Sequence, residues 1–174
     1  MCGIVGLFLK DKSLEPKLGD MLTDMLITMT DRGPDSAGIA IYGGESEGKA
    51  KLTVQSDTPD AAFRKLDNAL RDAVKGKVSI TRKDTHAVLE INADQIATAR
   101  TFLNEKCPDL RLMSRGESLA IFKEVGLPKN VAERFDVRKM SGSHGIGHTR
   151  MATESAVTTM GAPPFNTGDD QCLV

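Results

Sequence analysis

A cysteine stands at position 2, and an apolar run from Gly3 to Leu9 follows it at once, so the chain is committed to a buried strand before its tenth residue. Lys10-Asp11-Lys12 ends the run. A first strand that begins at residue 3 ties the N-terminus into a sheet and puts Cys2 at the strand's edge. Two readings of that cysteine are open. As a small hydrophobe it packs beside the strand, where most cysteines sit. With Met1 removed it carries a thiol and a free α-amine on one residue. A thiol pKa near ~8.5 and an α-amine near ~7.7 to 8.0 let the amine take the thiol proton as attack begins.

At 174 residues the chain suits one domain with room for a real core. Lys and Arg number 23 against 24 Asp and Glu, a net charge of -1, which supplies no field to attract nucleic acid or an anionic membrane surface. No apolar run approaches the ~18 residues of a membrane span, and no basic, hydrophobic, cleavable leader opens the chain. The expected setting is the cytoplasm. Cys2, Cys107 and Cys172 are far apart and not in metal-ligand spacing, so neither a disulfide framework nor a zinc site is expected.

Leu18, Met21, Leu22, Met25, Leu26 and Met29 recur at three- and four-residue spacing and predict a helix whose methionines pack in the core. Asp31-Arg32-Gly33-Pro34-Asp35-Ser36-Ala37-Gly38 then reads as a loop leading into a strand at Ile39–Tyr42, with a return strand at Lys51–Gln55. Thr58-Pro59 predicts an N-cap and first helical residue for a helix carrying Phe63, Leu66, Leu70 and Val74. Val78 to Lys139 reads as a small inserted α/β unit. Within it, residues 86 to 91 alternate as a strand, Asn92 with Gln95 resembles a capping box, and Ile96, Ala99 and Leu103 line a helix. Leu110–Met113 is a candidate strand. Ser114 with Glu117 repeats the capping signal before a helix through Leu119, Phe122 and Val125, which Gly126 and Pro128 would stop.

Polar residues converge in Ser141–Ser155, where glycine, two histidines, an arginine and hydroxyls share fifteen positions. If His144–Arg150 is extended, His144, Ile146, His148 and Arg150 share a face, with the histidines ~13 Å apart and unable to chelate one metal. Each histidine reads best as a hydrogen-bonded, partly buried side chain. Arg150 is open between a bidentate grip on a carboxylate and an ion pair with Asp or Glu.

Cys2-Gly3-Ile4-Val5-Gly6, Arg32-Gly33-Pro34-Asp35-Ser36-Ala37-Gly38 and Gly147-His148-Thr149-Arg150-Met151-Ala152-Thr153, in that order, resemble three successive motifs of the class II glutamine amidotransferases. The third looks closest to the glutamate synthase-like branch, and specifically to a separate amidotransferase subunit of the N-methylglutamate synthase type. The resemblance implies an α+β chain with the N-terminal nucleophile hydrolase fold, an αββα sandwich of two mainly antiparallel sheets between helical layers. It makes Cys2 the catalytic nucleophile and its α-amine the base, Arg150 the clamp on the glutamine α-carboxylate, and Thr153 a hydrogen-bonding partner of bound glutamine. Arg32 and Asp35 would order the loop beside the nucleophile or form a structural ion pair. Gly33, Gly38 and Gly147, with His148 beside the last, would permit tight backbone near the site. Glutamine is the implied substrate, no metal or organic cofactor is required for that half-reaction, and an ammonia-accepting glutamate synthase-like subunit is the implied partner.

The sequence departs from the family at Pro163 of Gly161-Ala162-Pro163-Pro164-Phe165, where histidine is common. The family's oxyanion Asn-Gly pair and a later acidic residue would follow the strand that Gln171–Val174 begins. The 174 residues are therefore expected to be truncated at the C-terminal side, and to turn over glutamine weakly or not at all by themselves.

Overall fold

β1 (Gly3–Phe8) forms where the first apolar run lies and alternates, burying Gly3 and Val5 while Ile4, Gly6 and Phe8 face outward. The computed structural model describes residues 1–153 and 156–174, with Lys65 described by its backbone alone. β1 is the edge of a four-stranded antiparallel sheet of order β1-β8-β2-β7, with β2 spanning Ser36–Tyr42, β7 Leu119–Val125 and β8 His144–Arg150. α1 (Leu18–Thr28) covers one face of it. Leu18, Leu22 and Leu26, all fully buried, meet Val5, Ile39, Ile41 and Phe122 there, and Met21, Met25 and Met29 fill the margin. At roughly 2 kcal/mol for each buried leucine, those three side chains suffice to fix which way the helix faces. α4 (Pro128–Arg134) extends the layer with Val131, Ala132 and the following Phe135.

Between β2 and β7 the chain builds a second layered unit from β3 (Lys49–Gln55), α2 (Pro59–Ala73), β4 (Ser79–Lys83), β5 (His86–Asn92), α3 (Ile96–Lys106) and β6 (Arg111–Gly116). Its antiparallel order β4-β5-β3-β6 gives the ferredoxin-like βαββαβ arrangement. Phe63, Leu66 and Leu70 of α2 and Ala99 and Leu103 of α3 pack on Leu52, Val54, Leu89 and Ile91. The unit starts at Lys49, a strand and a helix before Val78, because β3 is hydrogen-bonded between β5 and β6. It closes at Gly116, because β7 and α4 belong to the first sheet.

Three local expectations fail for one reason, a competing use of the side chain. Residues 119–125 are a strand, and the Ser114 hydroxyl donates to Leu119 O (3.3 Å) and accepts from Ile121 N (3.2 Å) across the β6–β7 turn instead of capping a helix. Asn92 accepts from Lys49 Nζ at 2.8 Å, and Gln95 accepts from Lys75 N at 3.2 Å, so no capping box forms. Thr58 precedes α2 without a side-chain cap, its hydroxyl instead lying 3.5 Å from Ser56 Oγ in a shared hydrogen bond. Pro128 opens α4 at the first turn, where its missing N–H costs nothing.

A closing hairpin of β9 (Phe165–Gly168) and β10 (Gln171–Leu173) lies over the other face of the first sheet. Cys172 packs there with Ala40, Tyr42, Leu119 and Ile121. Asp170 anchors its turn by accepting from Glu117 N (2.8 Å), Ser118 N (2.9 Å), Ser118 Oγ (2.9 Å) and Leu119 N (2.8 Å). The hairpin leaves Ile4 (55% exposed) and Phe8 (68%) of β1 uncovered. No helix among the described residues is long and apolar enough to cross a membrane.

Candidate active site

Antiparallel pairing brings together residues from both ends of the sequence. β1 ends its register with Gly3 opposite Thr149, so Cys2 lies one residue further on, at the end of β8 where Arg150 sits. The Met1 amine donates to Met151 Sδ at 3.1 Å, which fixes the same adjacency one residue out. β2 meets β8 on its other side with Ser36 opposite Arg150 and Gly38 opposite His148. By strand alternation Ser36, Gly38, His148 and Arg150 share the face opposite α1. Cys2 is exposed, Arg150 is half-buried, and Ser36 is fully buried.

Asp35 locks this end of the sheet. Its N–H donates to Arg150 O at 3.1 Å, its carbonyl accepts from Gly126 N at 2.9 Å, and its carboxylate accepts from Ala152 N at 2.8 Å. Among the described residues no ion pair joins Asp35 to Arg32. Arg32 instead donates its N–H to Met29 O at 3.0 Å in a short 3-10 turn, and its Cβ would lie 3.3 Å from a Cβ on Gly3. Gly33 is required by space: a Cβ there would fall 2.5 Å from Arg150 N and 2.6 Å from Thr149 O. At Gly147 a Cβ would meet Leu26 Cδ1 at 2.8 Å and Val5 Cγ2 at 2.9 Å, so this glycine lets α1 approach β8.

The two histidines differ. His144 stacks on Tyr42 at 4.1 Å, and its Nδ1 shares a 2.9 Å hydrogen bond with Ser143 Oγ. His148 is buried, and its Nδ1 has no partner among the described residues. Burial first, and the Arg150 charge second, hold its pKa below the ordinary histidine value. It is a neutral ring, and the expectation of a hydrogen-bonded histidine fails at this nitrogen. The Ser36 hydroxyl is also buried without a partner. Two orphaned polar atoms therefore lie within two residue positions of Arg150 on one sheet face, where a bound polar group would satisfy them.

After Arg150 the chain crosses the exposed Thr153 and returns as a strap, Thr159–Phe165. Arg150 Nη1 donates to Ala156 O at 3.4 Å, and a Cβ on Gly161 would lie 3.5 Å from the same nitrogen. The strap's Pro163 carbonyl sits so close over β2 that a Cβ on Gly38 would be 2.0 Å from it, which explains a glycine in mid-strand. Pro163, where the family commonly has histidine, thus meets the sheet through its backbone. Neither the burial of the Ser36 hydroxyl beside Arg150 nor the seat of the strap over β2 was signalled by motif or periodicity, because both depend on pairing between distant strands.

Among the described residues no group of three or more His, Cys, Asp or Glu is placed to hold a metal ion. A groove of about 630 Å3 lined by Ala62, Leu66, Phe102, Cys107 and Leu110 lies on the ferredoxin-like unit, away from this row.

No family model matches the chain. It is 63% identical, over all of its own length and 58% of the relative's, to glutamine amidotransferase-like protein GlxB of Rhizobium meliloti. It is 31% identical, over 95% of its length and 56% of the relative's, to a protein of Methanothermobacter thermautotrophicus provisionally named a glutamine amidotransferase. The chain therefore spans a little over half the length of the curated relatives it matches, and over that span it is a homologue of proteins named as glutamine amidotransferases.

Proposed function

We propose that this chain carries the glutamine-hydrolysing site of a class II amidotransferase, with Cys2 as nucleophile. The observation that carries the reading is the convergence of Cys2 and Arg150, from opposite ends of the sequence, on one end of one sheet. An exposed thiol there can reach a small substrate, and a guanidinium beside it favours a free amino acid held by its carboxylate over a large substrate. The names of the relatives agree with glutamine as that substrate.

In this reading the α-amine of Cys2, free once Met1 is gone, takes the thiol proton as sulfur attacks the side-chain amide carbon of glutamine. The C–N bond breaks, the nitrogen leaves as ammonia with the transferred proton, and a γ-glutamyl thioester remains. Water then cleaves the thioester to glutamate and restores the thiol. Arg150 holds the α-carboxylate, Thr153 adds hydrogen bonds from the turn, and Asp35 keeps Arg150 and Ala152 in place. The ammonia passes to a glutamate synthase-like partner in the reducing cytosol, where Cys2 stays a thiol. The αββα sandwich of the N-terminal nucleophile hydrolases fits as the parent architecture: α1 and α4 cover one face of the first sheet, and its other face offers Ile4 and Phe8 to a second layer.

Intact-mass spectrometry of the full-length protein before and after 6-diazo-5-oxo-norleucine, with mapping of the label, tests the reading. Loss of Met1 and one adduct on Cys2, abolished in Cys2→Ala, is the expected result. A processed Cys2 that reacts with iodoacetamide but never with the glutamine analogue would overturn it.

A further inference from the structure

Two charged residues that the reaction does not use are buried side by side on the edge strand β7. Lys123 is 3% exposed and Glu124 8%. Successive strand residues point to opposite faces, so the two side chains leave β7 in opposite directions. Both reach the same strap. Lys123 Nζ donates to Pro164 O at 3.3 Å and lies 4.5 Å from the centroid of the Phe165 ring, and among the described residues it has no ion-pair partner. Glu124 Oε1 accepts from the Thr159 hydroxyl and from Val125 N at 3.0 Å. Its Oε2 accepts from Thr85 Oγ1 at 3.2 Å and pairs with Arg134 Nη1 at 3.5 Å.

A buried ammonium without a carboxylate is a poor source of stability, and apolar residues of similar volume commonly do as well or better. What this pair supplies is position. We propose that Lys123 and Glu124 are positioning residues that grip the two ends of the Thr159–Phe165 strap and so fix the shell in which the Arg150 guanidinium sits. The link is direct: the guanidinium donates to Ala156 O and lies beside Gly161, which is flanked by the gripped residues Thr159 and Pro164. Between the grips the strap is seated by the Pro163 carbonyl over Gly38, and Ala162 is fully buried. Glu124 also carries the grip into the ferredoxin-like unit, since Thr85 lies in its β4–β5 turn and Arg134 pairs there with Asp84 at 2.9 Å. The effect on glutamine binding rests on the function proposed above; the grip on the strap does not.

The test uses the full-length protein with Lys123→Met and Glu124→Leu, and with Lys123→Arg and Glu124→Gln as conservative partners that keep a donor and an acceptor. Amide hydrogen exchange over residues 156–165 is expected to rise at least tenfold in the apolar variants and to return toward wild type in the conservative ones. Cys2 should alkylate with iodoacetamide within twofold of the wild-type rate. Labelling by 6-diazo-5-oxo-norleucine should need at least tenfold more reagent for half-saturation, at a similar limiting rate. Unchanged exchange across the strap in folded apolar variants overturns the grip. A loosened strap with unchanged analogue half-saturation overturns its role at the site. Wild-type protein that alkylates but refuses the analogue removes the glutamine reading, while exchange still decides the grip. Should an apolar variant fail to fold, Thr159→Val removes one end of the grip alone and must raise strap exchange.

Discussion

Replacing Lys123 by methionine should flatten the response of stability to alkaline pH. Burial pushes the Lys123 ammonium from 10.5 down to about 8 in the folded protein. A lowered lysine pKa means that the folded state resists a proton the unfolded chain accepts. The cost is complete below pH 8 and is relieved as pH rises from there toward 10.5, where the unfolded chain binds more protons and stability climbs. At roughly 1.4 kcal/mol for each unit of difference, the full cost is about 3 kcal/mol, of which about 2 kcal/mol is recovered between pH 7 and 9.5. The hydrogen bond to Pro164 O and the contact with Phe165 offset part of it, at about 1 kcal/mol each. Methionine removes cost and compensation together, so the variant should equal or exceed wild type by about 1 kcal/mol at pH 7. Urea unfolding of both proteins at pH 7 and 9.5 measures the difference, and the groups common to both proteins cancel between them. The reasoning fails if the variant gains as much stability over that interval as wild type does.

Arg150→Lys keeps the charge but loses the planar fork, and the half-saturation concentration for the glutamine analogue should rise about 10- to 100-fold, read from labelling at Cys2. Gly38→Ala places a methyl 2.0 Å from the Pro163 carbonyl and should cost about 1–3 kcal/mol or displace the strap, seen as a lower urea midpoint with faster exchange over residues 156–165. His86 is fully buried, and burial, with Lys123 and Arg134 adding to it, lowers its pKa from 6.5 to about 3. The unfolded chain therefore takes the proton first, and about 2 kcal/mol should be lost between pH 8 and 5. In His86→Leu that acid-side loss should shrink in a urea titration across the same pH range.

Local pattern was enough wherever one element's own periodicity decides its burial. The β1 run, the Leu and Met stripe of α1 and the glycine-rich β8 all form where the residues indicate, and the convergence of Cys2 with Arg150 follows the order of the three motifs. The strand at 119–125 was not legible. Leu119, Phe122 and Val125 recur at helical spacing, and the Lys123-Glu124 pair resembles a solvated helix face. The strand pairing with β2 reverses that reading, because Leu119 and Ile121 then face Tyr42 and Ala40, while Phe122 turns toward Phe135. Nothing local announces that two charges are buried by partners some forty residues downstream. For the same reason Ser36, an ordinary residue of a turn-rich motif, gave no sign that its hydroxyl would lie buried beside Arg150.

The register Tyr42 opposite Leu119 closes β2 on β7 as the last rung of a hairpin whose turn happens to be a whole βαββαβ unit. Because β3 and β6 are neighbours, that unit leaves from almost the same place it enters. To the first sheet it is one long loop with its ends held together, and lengthening such a loop adds only slowly to the entropy of closing it. A short turn at this point would leave every strand pairing of the first sheet unchanged. Removing the unit would cost mainly the bonds of Thr85, Asp84 and Arg115 to Glu124, Arg134 and Asp169, which tie it to the rest of the chain.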